Sequence, residues 1–267
     1  IDLLLTGYGG AGPYPQCFDN LNIKEKNREG EKKRNSFLNY AIKYIEEFKP
    51  DYYLPYAGTY TLTGKLSNLQ NLRGVPTTDE AFSFLENYID NDYLLRKKVK
   101  PAKINNDQLF DISLGESSQS YKKINVDEYQ DYIDRVLSKR NLDYENDPFP
   151  SFDEIYDLCK KAHIRFVDKK LINSVKLQTE IYLKVQERLI KISKNDSNLE
   201  VIKNIEGYNF DKKYIIYDLD MRLLKKLLMG PRFAHWSEAE GGSHVRYFRK
   251  PNIMESASVM SMCNFYI

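Results

Sequence analysis

The sequence predicts an α/β unit followed by an α+β module with an antiparallel sheet, and three observations carry that expectation. The first 56 residues read strand, helix, strand with short connections, the grammar of parallel βαβ units. Beyond residue 170 the pattern changes to short runs of alternating apolar and polar residues, the mark of half-exposed strands. Between these regions lie the polar stretch 116–123 (ESSQSYKK) and two helical segments. The expected division is therefore 1–115, a helical connector 116–170, and a module 171–267. At 267 residues the chain is long enough for two ordinary domains.

Residues 1–8 (IDLLLTGY) form an apolar run closed by Gly7, Gly9 and Gly10, as in a central strand ending in a tight turn. No initiator Met precedes Ile1, and a buried strand entered at once leads us to expect the C-terminal portion of a longer protein. Over 36–48, Phe37, Ala41, Tyr44, Ile45 and Phe48 recur at helical spacing and stop before Pro50. The run 24–34 (KEKNREGEKKR) holds a Gly and three Glu among its bases and is expected to be a solvated loop leading into that helix.

A strand at 51–56 (DYYLPY) and a helix at 78–88 follow, the helix with Ala81, Phe82, Leu85 and Tyr88 on one face. Residues 97–104 and 108–112 flank Asn105-Asn106-Asp107, which suggests a hairpin. Helices are expected at 126–139 and 151–163, the second opened by Ser151 and Glu154 in capping-box spacing. Strands at 181–186, 189–192, 199–202 and 214–217 are expected to run as an antiparallel meander. They lead into a helix striped by Leu219, Leu223, Leu224, Leu227 and Leu228, which Gly230-Pro231 stops.

Composition narrows the function classes. Forty Lys and Arg stand against 38 Asp and Glu, interspersed along the chain, so no net field recruits nucleic acid or an anionic membrane. No apolar run approaches the roughly 20 residues that span a bilayer, and no basic-then-apolar leader is present. Cys17, Cys159 and Cys263 are odd in number and far apart, which argues against a disulfide framework or a CxxC metal knuckle and fits a reducing, cytoplasmic setting. The 21 Tyr suit half-buried surfaces, clefts and subunit contacts.

Three segments are more particular. In 5–18 (LTGYGGAGPYPQCF) a strand ends in glycines that permit close backbone approach, with Pro13 and Pro15 stiffening the exit. Residues 51–73 (DYYLPYAGTYTLTGKLSNLQNLR) place Pro55-Tyr56-Ala57-Gly58 at the end of the next strand. Residues 231–249 (PRFAHWSEAEGGSHVRYFR) gather His235, Glu238, Glu240 and His244. Imidazole with carboxylate suits metal binding or acid–base work. The nine-residue spacing of the two His fits no zinc motif, so a structural or subunit-contact role is the favoured reading of the pattern.

The first two segments together resemble metallo-β-lactamase-fold proteins of the branch related to CMP-N-acetylneuraminate hydroxylase and its bacterial relatives. The likeness covers about the first hundred residues and implies the C-terminal part of an αββα sandwich. It also implies that the HxHxDH ligand cluster precedes Ile1. No cofactor is then held within this chain, and iron or zinc belongs to the complete protein, bound by its N-terminal remainder. Gly58-Thr59-Tyr60 matches the family's Gly-Thr-aromatic turn, with Tyr56 where hydrolytic relatives carry their last His. A phenol, whose ordinary pKa is about 10, is a poor zinc ligand at neutral pH.

Similar His-Trp-x-x-Ala-Glu-x-Gly-Ser-His tails occur in the same group, and the strands and Leu-rich helix before this tail resemble a sterol carrier protein-like module. The resemblance implies an enzyme acting on a nucleotide sugar or surface-polysaccharide sugar, such as an N-acyl hydroxylase drawing electrons from a Rieske centre elsewhere. A metal-dependent hydrolase of the same fold is the first alternative. A non-catalytic binding or assembly module, including a homodimer contact, is the second.

On this reading Tyr56 and Tyr60 are the catalytic candidates. Tyr8, Gly9, Gly10, Tyr14 and Arg73 are the substrate contacts of the cleft, with amides of Gly9 and Gly10 for an anion and Arg73 for a phosphate or carboxylate. His235, Glu240 and His244 are candidate substrate contacts from the tail.

Overall fold

A computed structural model of the chain describes residues 1–192, 199–210 and 213–267. The backbone falls into two compact units, one formed by Ile1–Ala11, Ile23–Thr63 and Ser67–Lys139, the other by Gly12–Asn22, Gly64–Leu66 and Arg140–Ile267. The two helices expected between 116 and 170 are shared out, one to each unit.

In the first unit β1 (Leu3–Gly7), α1 (Ile23–Phe48) and β2 (Tyr52–Tyr56) form the expected βαβ turn, with Leu3 opposite Tyr52 and Gly7 opposite Tyr56 in parallel register. The basic run at 24–34 is not a loop but the first half of α1. Lys, Glu and Arg are good helix formers. Gly30, the weakest residue there, is buried against the backbone of Gly74, and it is a Cβ on Gly74, at a φ of 64°, that would strike the Gly30 carbonyl. The second half buries Leu38, Ala41, Ile42 and Ile45 against Tyr53 and the helix α2 (Thr78–Asn91), whose Phe82, Leu85 and Ile89 complete the core. Thr77 and Glu80 cap α2 reciprocally. Removing a core side chain such as Ile45 costs about 2–5 kcal/mol.

Residues 97–112 do not form a hairpin. Instead α3 (Tyr93–Lys98) leads into β3 (Lys100–Pro101), which pairs in parallel with β2. Next, β4 (Phe110–Asp111) pairs antiparallel with β5 (Glu116–Ser117), inside the stretch expected to be a linker. Local bonding explains this. The Asp111 carboxylate accepts from the amides of Ser113 and Leu114, and Gly115 supplies a φ of 69°, so the turn forms at 112–115. Asn105 instead bonds both ways with the backbone of Lys122. The unit ends with α4 (Val126–Arg135), capped by Asn125.

The second unit begins with α5 (Phe152–Ile172), N-capped by Ser151 as expected but ending nine residues beyond the expected end at His163. Its sheet contains β6 (Glu180–Val185), β7 (Arg188–Ile192), β8 (Glu200–Ile202), β9 (Tyr214–Asp218) and β10 (Arg246–Lys250), in the order β10-β9-β6-β7-β8. The first three are antiparallel neighbours, as expected, but β9 returns beside β6 in parallel, so the sheet is mixed and not a meander. Periodicity fixes which face a residue takes and is silent on strand direction. β10 runs antiparallel to β9.

Between β9 and β10 come α6 (Met221–Leu228), which buries its Leu stripe and is capped by Asp220, and α7 (Trp236–Gly241). α8 (Ser256–Met262) closes the chain, packed like α6 against α5. All three thiols are free, and among the described residues no helix is long and apolar enough to cross a membrane.

Candidate functional site

Within the second unit, the segment Gly12–Asn22 runs along β10. The Asp19 amide donates to the Tyr247 carbonyl at 2.7 Å, and the Tyr247 amide donates to the Cys17 carbonyl at 2.8 Å. This segment, β9, β10 and the start of α8 enclose a cavity of about 420 Å³. Its apolar side is aromatic. Phe18 stacks on Tyr247 with ring centroids 4.9 Å apart, and Tyr14 meets Phe18 edge-on at 5.2 Å. Ile215, Ile253, Met254 and Val259 fill out the wall.

Three charged residues line that wall, Arg249, Glu240 and Glu255. Arg249 lays its guanidinium 4.5 Å over the Phe18 ring and donates to Asn252 Oδ1 from Nε and Nη2, at 3.2 and 2.7 Å. Asn252 in turn donates to the Tyr14 hydroxyl at 3.2 Å. Burial lowers the pKa of Arg249, which remains charged at any physiological pH.

The second is Glu240, presented by α7. His235 caps this helix by accepting from the Ser237 amide at 3.2 Å, and the Trp236 indole anchors it by donating to the Phe265 carbonyl at 3.0 Å. Glu240 is only 7% exposed, and among the described residues its Oε1 has no hydrogen-bond partner. The Tyr247 hydroxyl is near enough to act on the carboxyl but makes no hydrogen bond of good geometry with it, and the buried Tyr217 hydroxyl is also unpartnered. Desolvation pushes Glu240 up to about 7, with Tyr247 opposing the shift. A buried polar atom left without a partner costs about 1–3 kcal/mol, and such groups in native proteins call for a specific reason.

Of the tail residues singled out in the sequence, Glu240 lines this cavity, as does Tyr14. His235 is occupied in capping α7. His244 turns Nδ1 toward the Tyr144 hydroxyl at 3.3 Å, and the Tyr144 ring lies under Lys65, which bridges Glu145 and Asp220 at 3.0 Å each. Burial, with Lys65 adding to it, holds the His244 imidazole below its usual pKa.

The other candidates lie in the first unit. Tyr8 is buried, packed with Leu38 and Ala81, and its hydroxyl pairs with Thr78 Oγ1 at 2.7 Å. Gly9 and Gly58 place the turns after β1 and β2 in contact: a Cβ on Gly9 would sit 2.5 Å from the Gly58 carbonyl oxygen, and one on Gly58 would strike the Tyr8 ring. Gly10 lies against Phe37. Tyr56 is 59% exposed. Arg73, buried, stacks on Tyr60 at 4.5 Å, donates to the Gln70 carbonyl at 2.8 Å, and also bonds the Tyr60 carbonyl.

No family model, curated protein or solved structure matches the chain significantly. Among the described residues, no three His, Cys, Asp or Glu side chains are grouped to hold a metal ion.

The site residue that sequence reasoning missed is Arg249. It closes the third particular segment and follows Tyr247 by two, so both project from the same face of β10. Three of the five residues of that strand are charged, so its alternation carries no apolar signal.

Proposed function

We propose that the second unit binds a small organic molecule in the cavity between Phe18, Tyr247 and α8. The observation that carries the reading is Glu240, a carboxyl with an unpartnered oxygen, nearly buried, in the wall of an otherwise aromatic and aliphatic cavity. Sites of this build, apolar with a few converging polar groups, are where small ligands are held. A carboxyl near half-protonation at neutral pH donates a hydrogen bond to a ligand acceptor or accepts one from a ligand donor. The mixed sheet flanked by the Leu-rich α6 is in keeping with the carrier-like resemblance of this region.

The test is a titration with a neutral solvatochromic naphthalene dye, read by dye emission and by quenching of Trp236, the single tryptophan. Binding at micromolar dye that Val259→Trp abolishes supports the reading. Dye uptake unchanged by that cavity-filling substitution removes it.

A separate observation favours an enzymatic reading for the first unit. Two turns, at Gly9 and Gly58, meet at the C-terminal ends of adjacent parallel strands, the usual place for ligands in α/β sheets. We propose that these turns form one wall of the active site of a metallo-β-lactamase-fold enzyme acting on a nucleotide sugar. Upstream sequence lacking an HxHxDH cluster would remove that proposal.

A further inference from the structure

We infer that the ligand of the second unit's cavity is an anion with a flat apolar body, its negative group seated on Arg249. The inference rests on the proposed binding role of this cavity and adds the charge and shape of what it holds.

Three observations carry it. First, among the described residues Arg249 pairs with no carboxylate: its side-chain bonds go to the neutral Asn252, and its faces lie against Phe18 and Tyr14, 4.5 and 5.6 Å from the ring centroids. Of the two acidic side chains that line its cavity, Glu240 accepts neither of these bonds, and Glu255 has its oxygens turned to the amides of Gln178 and Thr179 at 2.9 and 2.8 Å. A partly buried guanidinium in that setting is a fork awaiting an oxyanion.

Second, Arg249 also lines an adjoining cavity of about 240 Å³, whose walls include Lys213 and Lys250. Lys213 and Lys250 thus stand, with Glu255, in the space that adjoins the aromatic cavity at Arg249, so the combined space is amphipathic. Third, the apolar half is built from ring faces and edges, Phe18 stacked on Tyr247 and Tyr14 standing against Phe18, which suits a planar body.

The experiment is calorimetry on the full chain at pH 6.5, where Glu240 carries its proton more often than not, with three probes of one shape: 2-naphthoate, 2-naphthamide and 2-naphthylmethylamine. A hydrogen bond to a charged acceptor is stronger than one to a neutral amide, so 2-naphthoate is expected to bind about tenfold more tightly than the amide. Arg249→Gln is expected to erase that preference, and Lys213→Gln to reduce it.

Equal affinity for acid and amide, lost on Val259→Trp, overturns the inference and leaves the cavity's binding role standing. Preference for the amine overturns it in favour of Glu240 as the charge partner. Failure of all three probes to bind removes the binding role and the inference together. Should Arg249→Gln fail to fold, the three-probe comparison on the unaltered chain still decides.

Discussion

The Arg249 guanidinium lies over the face of Phe18, a ring that also stacks on Tyr247 at 4.9 Å and meets the edge contact of Tyr14 at 5.2 Å. Phe18 thus joins the charged and the aromatic parts of the cavity wall. Phe18→Leu removes all three of these contacts while keeping an apolar side chain. Cation–π contact contributes about 0.5–2 kcal/mol and aromatic pairing about 0.5–1.5 kcal/mol. Urea denaturation is expected to show a loss of about 1–3 kcal/mol, together with weaker binding of 2-naphthoate. Unchanged stability would show that the stack is incidental.

Glu240 makes a second expectation, in pH. Its folded pKa, about 7, lies above the usual carboxylate value of 4.5. The folded chain therefore holds this proton more tightly than the unfolded one, and stability falls as pH rises from about 4.5 through 7. The shift corresponds to about 3 kcal/mol. Glu240→Gln cannot ionise, so its stability relative to the parent is expected to improve by about that amount between pH 4.5 and 8.5. Parallel stability curves for the two proteins over that range would show that Glu240 titrates normally.

His235 separates a structural role from a binding one. Its ring nitrogen accepts from the Ser237 amide at the start of α7. Loss of an N-cap costs about 0.5–2 kcal/mol, and Asn is among the best caps. His235→Ala is expected to lower stability within that range, and His235→Asn to restore it. Binding of the neutral dye is expected to change little in either, as His235 does not line the cavity. Loss of dye binding in the Asn variant, with stability intact, would place His235 in the site.

What the sequence disclosed followed from local physics. The second half of α1 was legible because Ala41, Ile45 and Phe48 repeat at helical spacing; the first half was not, because it buries only Lys26 and Gly30. Asn105-Asn106-Asp107 carries turn chemistry, but the turn that pairs β4 with β5 depends on Asp111 and Gly115, whose meaning appears only once the strands are aligned. β10 was hidden because RYFRK is mostly charged and only Tyr247 in it is fully buried. Glu240 stood out by its neighbours in sequence. Its cavity did not, since Phe18, Ile215 and Val259 lie far apart along the chain and meet only through the parallel return of β9 and the attachment of Phe18 to β10.

The first unit offers a test of backbone contact with an internal control. A Cβ on Gly9 would lie 2.5 Å from the Gly58 carbonyl oxygen, a backbone atom that cannot swing aside as a side chain does. Nothing lies within 4 Å of a Cβ placed on Gly7, two residues earlier in the same strand end. Forcing atoms into occupied space costs about 1–3 kcal/mol, whereas replacing a compatible Gly by Ala stabilises by about 0.4–1 kcal/mol through the unfolded chain. Opposite signs are therefore expected in chemical denaturation, Gly9→Ala destabilising and Gly7→Ala neutral to stabilising. Equal effects would mean that the turns after β1 and β2 stand apart in solution, and the proposal that they form one wall would lose its footing.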